Sequence, residues 1–154
     1  MSMKNPYAIS NFEKIKLEGF EYVDRTSRIP LTEAVGQYLL FLRPRRFGKS
    51  LWLSTLKNYY NIAKADVFDQ LFAGTWIYDN PTKLHNQYFV LKWDFSCVDC
   101  TGNNVEQNLN IHMNDCIRRF ASDYEELLPS QIEIYENQAM SSFFSLLSVI
   151  SKTG

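Results

Sequence analysis

The feature that most constrains the fold of this chain is a continuous apolar run, followed by a basic turn and then by a helical pattern. Residues 38–42 read YLLFL, which is typical of a strand buried on both faces of a parallel sheet. Beyond the turn, positions recur at helical spacing, at Leu51, Leu53 or Ser54, Leu56, Tyr60 and Ile62. This spacing predicts a helix over residues 49–62. The order strand, turn, helix indicates an α/β fold.

The turn, RPRRFGKS at residues 43–50, ends like the phosphate-binding pattern G-x-x-x-x-G-K-[ST]. Gly48 would let the backbone approach a phosphate closely, and the N-terminus of the following helix favours an anion. Lys49 would place its ammonium on the β- and γ-phosphates, and the Ser50 hydroxyl would bind Mg²⁺. The sequence therefore predicts a phosphate site at this turn.

Three arginines leave alternatives open for the same turn. Arg43 occupies the place of the first glycine in the pattern. Arg45 and Arg46 add charge that is suited to contact either phosphate or the carboxylates of a partner. A basic strand-to-helix turn with Lys49 in solvent is the simpler interpretation. A nucleic-acid backbone is the main alternative anion.

The rest of the chain continues the alternation of strands and helices. Residues 87–95, QYFVLKWDF, predict a second strand, and residues 65–79 predict a short helix broken at Gly74 and followed by an irregular piece. Further helices are predicted over residues 29–36, 103–127 and 138–151. The expected fold is a parallel sheet with flanking helices, and it is incomplete because only two convincing strands are visible.

Composition limits the classes of protein that remain. The chain has 154 residues, of which 45% are hydrophobic, which predicts one domain with a proper core. Its net charge of -1 gives no general attraction to nucleic acid or to a membrane surface. No apolar run is long enough to cross a membrane, and the start, MSMKNPYAIS, lacks a secretory signal. We therefore expect a cytoplasmic protein with free thiols.

Asp94 is a candidate metal ligand. It ends the second predicted strand, and an Asp that binds Mg²⁺ through water at a strand end is usual in phosphate-loop proteins. Lys92 interrupts the apolar run, however, and no Glu follows Asp94. The same residue is therefore also suited to cap the following turn or to form a salt bridge.

The cysteines suggest a zinc site as a minor alternative. Cys97 and Cys100 form a C-x-x-C pair, and His112 and Cys116 are four residues apart on a predicted helix. An apolar stripe explains that helix without a metal, at Val105, Leu109, Met113, Ile117 and Phe120. Because short cysteine patterns have many false positives, free thiols are the favoured interpretation.

Several stretches together resemble the AAA-ATPase-like domain of bacterial proteins, which often carry a C-terminal nuclease domain of the PD-(D/E)XK type. The stretches are YVDRT at residues 22–26, LLFLRPRRFGKSLWLSTLKNYY, LFAGTWI and YFVLKWDFS. The resemblance runs from about residue 6 to the end. In that family Arg commonly replaces the first loop glycine, so Arg43 fits the pattern.

The resemblance implies a P-loop NTPase-like fold and a site for ATP and Mg²⁺. The implied nucleotide ligands are Arg45, Arg46, Phe47, Gly48, Lys49, Ser50 and Leu51, with Tyr22, Asp24 and Thr26 beside the pocket. It also implies that residues 1–154 are the N-terminal part of one domain. In that domain residues 1–36 would pack near the nucleotide, and residues 38–62 would form the strand, loop and helix.

Two functions follow as hypotheses. The first is an ATPase-type module that binds nucleotide through the loop, with Mg²⁺ on Ser50, and couples a change of shape to a partner or to a missing domain. Nucleic acid would be reached through the nuclease domain, which this sequence does not contain. The second is a non-catalytic binding or regulatory fragment whose loop holds nucleotide, nucleic acid or an acidic partner. In the family an apolar strand ending in Asp-Glu follows, and this sequence does not contain that acidic pair. Since hydrolysis needs a strong Mg²⁺ ligand and a residue that orients water, the sequence favours binding over turnover.

Overall fold

A computed structural model describes residues 4–99 and 104–153. The chain divides into two compact units, Met1–Phe89 and Val90–Gly154. The α-helices of the first unit are α1 Phe12–Leu17, α2 Ile29–Val35, α3 Lys49–Tyr60, α4 Phe68–Phe72 and α5 Trp76–Asp79. The second unit contains α6 Val105–Asp123 and α7 Ala139–Ile150. Short 3-10 helices occur at Thr26–Arg28, Ile62–Val67 and Phe95–Cys97.

The predicted parallel sheet is wrong. Within residues 4–99 and 104–153 there is no strand. Residues 38–42 are irregular, and so are residues 87–94 apart from a bridge at Tyr88. The only strand-like pairings in this part of the chain are two isolated bridges, Lys4 with Phe20 and Asn61 with Tyr88. A strand requires a neighbouring strand for its backbone hydrogen bonds. The apolar run at 38–42 has no such neighbour among the described residues, so no P-loop-like sheet is present there.

The same run is exposed instead of buried. Leu40 is 83% exposed and Leu42 is 78% exposed, and Leu39 and Phe41 are about half exposed. The prediction that this apolar run is buried is therefore wrong. The hydrophobic core of the first unit is formed by other side chains.

Aromatic and aliphatic side chains from α1, α3, α4, α5 and the first residue of α2 build that core. Its fully buried members are Phe12, Ile29, Tyr59, Leu71, Phe72 and Ile77. The Phe72 ring lies 4.9 Å from the Phe12 ring and 5.6 Å from the Tyr59 ring, measured between centroids. Contacts of this kind stabilise a small core by both area and ring geometry. They join α1, α3 and α4.

α3 is the helix around which the first unit is organised. The helical spacing predicted it over residues 49–62, and it runs from Lys49 to Tyr60. Its C-terminal half carries the buried residues Thr55, Asn58 and Tyr59. The backbone N–H of Phe12 in α1 donates to Ser54 Oγ at 2.9 Å. This hydrogen bond fixes α1 against the middle of α3.

A polar network connects α2 with the end of α3. The Tyr60 hydroxyl donates to Glu33 Oε1 at 3.0 Å, and the Thr82 hydroxyl donates to the same oxygen at 2.8 Å. The backbone N–H of Thr82 donates to the Tyr59 hydroxyl at 2.8 Å. The carboxylate of Glu33 thus has two hydroxyl partners, and it holds α2, α3 and the segment around Thr82 together.

Two short helices differ from the sequence prediction. α1 was not predicted, although Asn11 caps it by accepting a hydrogen bond from the Lys14 N–H at 3.1 Å. The segment after the break at Gly74, predicted to be irregular, forms α5. Gly74 itself has φ +75°, in the left-handed region that ends helices. The short helix predicted before the break is present as α4.

In the second unit, α6 and α7 pack together with the extended segment between them. Their buried apolar residues are Cys116, Ile117, Phe120, Ala139, Leu146 and Val149. The side-chain amide of Asn114 donates to the carbonyls of Tyr135 and Glu136, at 2.9 and 3.1 Å. The Tyr135 N–H donates to Ser142 Oγ at 2.8 Å. Both helices were predicted, and α6 ends at Asp123, four residues earlier than expected.

Candidate functional site

The basic loop, residues 43–50, turns directly into α3. Gly48 precedes the helix with φ +73° and ψ 18°, a left-handed conformation that glycine adopts without steric cost. Arg46 has φ 66°, so two of three successive residues are left-handed. No side chain caps the start of α3 within the described part of the chain. The free N–H groups of this first turn are therefore suited to bind an anion.

Lys49 folds back onto its own loop. Its ammonium donates to the carbonyl of Arg43 and, at 3.2 Å, to the carbonyl of Pro44. Ser50, the next residue, is exposed on the first turn of α3. An anion bound at this turn would replace neutral carbonyl acceptors of Lys49 by charged oxygens, which accept stronger hydrogen bonds.

Tyr22 lies beside α3, the helix that follows the basic loop. Its hydroxyl is 3.4 Å from Thr55 Oγ1, and its ring packs edge-on against Phe12 at 5.1 Å. Burial raises the pKa of the Tyr22 phenol above its ordinary value, so the hydroxyl stays protonated near neutral pH. Tyr22 is therefore a neutral hydrogen-bonding group at the edge of the core.

Asp24 and Thr26 hold the start of α5. The two carboxylate oxygens of Asp24 accept hydrogen bonds from the backbone N–H groups of Thr26, at 2.8 Å, and Trp76, at 2.7 Å. The hydroxyl of the fully buried Thr26 accepts from the Ile77 N–H at 3.1 Å. These contacts satisfy N–H groups that a helix start leaves without intrahelical partners. They also fix the backbone of residues 24–26.

A cleft brings the loop and the segment around Asp24 together. Its volume is about 1100 Å³. The walls come from residues 21–25, 27 and 28, one face of α2, the loop and the first two turns of α3, together with Pro6 and Phe41. Pockets for small molecules and cofactors usually have several hundred to about 1,000 Å³. This cleft is therefore large enough to hold a nucleotide.

The cleft is both cationic and apolar. Four arginines line it, Arg25, Arg28, Arg43 and Arg46, together with two acidic residues, Glu21 and Asp24. The lining also includes the exposed apolar side chains Val23, Leu31, Val35, Phe41 and Phe47. The guanidinium carbon of Arg43 lies 5.6 Å from the Phe41 ring centroid, in a cation–π contact. Such a surface offers a ligand both positive charge and apolar contact.

A comparison with known families gives a match over nearly the whole chain. The model of the family described as "AAA-ATPase_like: Predicted AAA-ATPase" matches residues 6–154. The chain belongs to this AAA-ATPase-like family. No curated protein and no solved structure matches the chain. Membership agrees, at a coarse level, with the binding of a nucleotide.

The cleft of this AAA-ATPase-like chain contains most of the residues predicted to bind the nucleotide. They are Tyr22, Asp24, Arg46, Phe47, Gly48 and Leu51. Arg45, Lys49 and Ser50 belong to the same loop but do not line the cleft. Whether any of these residues binds a nucleotide stays a prediction.

Apart from Tyr22 and Asp24, sequence reasoning missed the walls outside the loop. Arg25, Arg28 and the α2 face with Leu31 and Val35 line the cleft and were not predicted. The positions of Arg28, Leu31 and Val35 at intervals of three and four residues were the available signal, because such residues share one helix face. The contact between the N-terminal segment and the loop depends on tertiary packing, which no local pattern encodes.

Asp94, the predicted metal ligand, lies in the second unit. Its carboxylate accepts a hydrogen bond from the Ser96 hydroxyl at 2.6 Å and is 3.5 Å from the Lys92 ammonium. The Ser96 hydrogen bond and then the Lys92 charge lower the pKa of the Asp94 carboxyl below its ordinary value. These local contacts match the interpretation as a turn cap and ion pair, and the metal role stays a prediction.

The four residues of the zinc alternative are only partly described. Cys100 lies outside the described residues. His112 Nε2 is 3.7 Å from Cys116 Sγ, and Cys97 is an exposed free thiol. Burial raises the pKa of the Cys116 thiol, which favours the protonated form. No group of three or more metal-binding side chains occurs within residues 4–99 and 104–153.

None of the helices in the described ranges combines the length and the apolar character needed to cross a membrane.

Proposed function

We propose that this chain binds ATP together with Mg²⁺ through the basic loop and the cleft beside it, as an ATPase-type module. The observation that carries the proposal is the cleft, because it places loop residues and the segment around Asp24 against one cavity with four arginines. Family membership supports the same conclusion, since the family is described as predicted ATPases.

The loop supplies the groups that a phosphate chain needs. The amides at the start of α3 have no side-chain cap, and Gly48 leaves the backbone open to close approach. Lys49 gives its ammonium to phosphate oxygens in exchange for the loop carbonyls. Bound Mg²⁺ would neutralise phosphate charge, with the exposed Ser50 hydroxyl and waters as ligands. Apolar side chains such as Phe47 and Leu31 provide a surface for the base.

The proposal covers binding and stops short of turnover. Hydrolysis requires a residue that orients the attacking water and a carboxylate that holds the metal. Asp94 is the candidate that the sequence offers, and Ser96 and Lys92 are its partners. On the family resemblance alone, we also propose a bacterial cytoplasmic setting and a link to a nuclease of the PD-(D/E)XK type.

The test is a binding titration of labelled ATP with Mg²⁺ against the wild type and Lys49→Ala. We expect Lys49→Ala to weaken binding by about 10- to 100-fold, because a charge-assisted hydrogen bond to phosphate is worth roughly 1.5–3 kcal/mol. The matched control is Lys83→Ala, which removes an exposed lysine of the same unit that does not line the cleft.

Equal affinity of the wild type and Lys49→Ala for ATP would contradict the proposed function. A phosphate-release assay on the same proteins separates binding from turnover. Steady release by the wild type that is absent in Lys49→Ala would show that the chain is a hydrolase, and no release would agree with a binding module.

A further inference from the structure

The cleft carries more positive charge than the basic loop supplies. Arg43 and Arg46 belong to the loop, whereas Arg25 and Arg28 come from the segment that precedes α2. Among the described residues, none of these four guanidinium groups forms an ion pair with a carboxylate. A guanidinium presents a planar set of donors that matches phosphate oxygens. The four groups are therefore available to an anion in the cleft.

Hydrogen bonds of neighbouring residues hold the backbone at Arg25 and Arg28. Asp24 and Thr26 flank Arg25, and both direct their side chains to the backbone of α5. Arg28 is the last residue before α2, and its carbonyl accepts from the Thr32 hydroxyl at 2.9 Å. The two arginines thus extend from an anchored backbone, which lowers the backbone entropy lost when they bind a ligand.

The charge of the cleft suits a ligand with several negative charges. Its lining has four guanidinium groups and two carboxylates, an excess of two positive charges. Coulombic attraction grows with the charge of the ligand, so each additional phosphate gains from these groups.

We propose that Arg25 and Arg28 form a second phosphate subsite outside the loop, and that this subsite makes the cleft prefer nucleoside triphosphates to monophosphates. This inference rests on the proposed function, because it assigns new ligands to the same nucleotide. The inference goes beyond the proposed function because it assigns part of the phosphate recognition to the N-terminal segment. The loop binds phosphate from one wall of the cleft, and Arg25 and Arg28 bind it from another.

The experiment compares Arg25→Gln, Arg28→Gln and the double variant with the wild type, using labelled ATP, ADP and AMP with Mg²⁺. We expect each single substitution to weaken ATP binding about tenfold and the double variant to weaken it more. AMP binding should change by less than about threefold, so the preference for ATP over AMP should fall. Lys83→Gln, which removes one positive charge from the same unit outside the cleft lining, should leave all three affinities unchanged.

Thermal unfolding confirms that each variant is folded. If a glutamine variant unfolds, Arg25→Met and Arg28→Met replace it, since methionine keeps the apolar stem and removes the charge. An ATP affinity of the double variant within about twofold of the wild type would overturn the inference. Equal weakening for ATP and AMP would overturn it as well, because a phosphate subsite must discriminate between them.

The failure of this inference is distinguishable from the failure of the proposed function. If Lys49→Ala weakens ATP binding and the arginine variants keep it, only the second subsite is wrong. If the wild type binds no ATP, both are wrong. A last measurement tests whether the wild type and the arginine variants bind a fluorescent single-stranded oligonucleotide. Loss of its binding in the arginine variants, with ATP binding intact, would assign these residues to nucleic acid and overturn the phosphate subsite.

Discussion

The two ends of α3 have opposite surroundings. At its N-terminal end, Gly48 and Ser50 are exposed and no described side chain caps the helix. At its C-terminal end, Asn58 and Tyr59 are buried, and their polar groups have partners at Ser54 and Thr82. The buried end fixes the direction of the helix. The uncapped N–H groups at the exposed end are therefore already oriented before a ligand binds. A helix of twelve residues therefore connects a packed core to a cleft.

The largest expected difference between these ends is in packing. Phe72→Ala should lower the free energy of unfolding by about 3–5 kcal/mol, because the ring is fully buried between Phe12 and Tyr59. Phe47→Ala removes the same side chain from the loop, where it is 59% exposed, and should change stability by less than about 0.5 kcal/mol. Urea unfolding measures both. Similar losses in the two variants would show that the loop is packed as firmly as the core.

A smaller effect is expected from the backbone at the exposed end. Gly48→Ala should destabilise the protein by about 1–2 kcal/mol, because a residue with a Cβ is disfavoured in the left-handed conformation. Space does not contribute, since an added Cβ would meet nothing within 4 Å. Gly48→Asn should destabilise less, because asparagine tolerates this conformation. If urea unfolding gives equal losses for Ala and Asn, backbone strain at Gly48 is not the cause.

The smallest effect concerns Tyr60, the last residue of α3. Burial and then the hydrogen bond to Glu33 raise the pKa of the Tyr60 phenol above its ordinary value of 10.0. Because the folded state holds the neutral phenol, its contribution is complete below pH 10 and falls as the pH rises further. Tyr60→Phe should cost about 1 kcal/mol at pH 7.

The pH dependence gives the decisive measurement for Tyr60. Urea unfolding of the wild type and Tyr60→Phe at pH 7, 10 and 11 should show a steeper loss of stability above pH 10 in the wild type. Parallel curves would indicate that the Tyr60 phenol titrates alike in the folded and unfolded states. Tyr7→Phe is the matched control, since that tyrosine is 87% exposed.

Helices were the part of the fold that the sequence predicted well. The spacing of apolar residues located α3, α6 and α7 because each helix buries one face, and that face appears in the sequence as a period. The strands failed for a physical reason. An apolar run at residues 38–42 has strand-like composition, but a strand is a pairing between segments, and composition contains no information about the partner.

The sequence predicted the local part of the site and missed the part that depends on pairing between distant segments. The pattern Gly48-Lys49-Ser50 is local, so the sequence located the loop. Arg25 and Arg28 reach the same cleft through the hydrogen bonds of Asp24 and Thr26 to α5, some fifty residues away in the chain. A contact of that range depends on the packed core, and it carries no signature in either segment.

The two carbonyls that accept from Lys49 have a consequence for affinity. These carbonyls belong to the loop itself, so they compete with any ligand for the Lys49 ammonium. Because the competition is intramolecular, dilution does not weaken it. Nucleotide binding would be an exchange of oxygen partners for one ammonium, and the measured dissociation constant would contain the free energy of the lost contacts. The loop would therefore bind its ligand more weakly than its number of cations suggests.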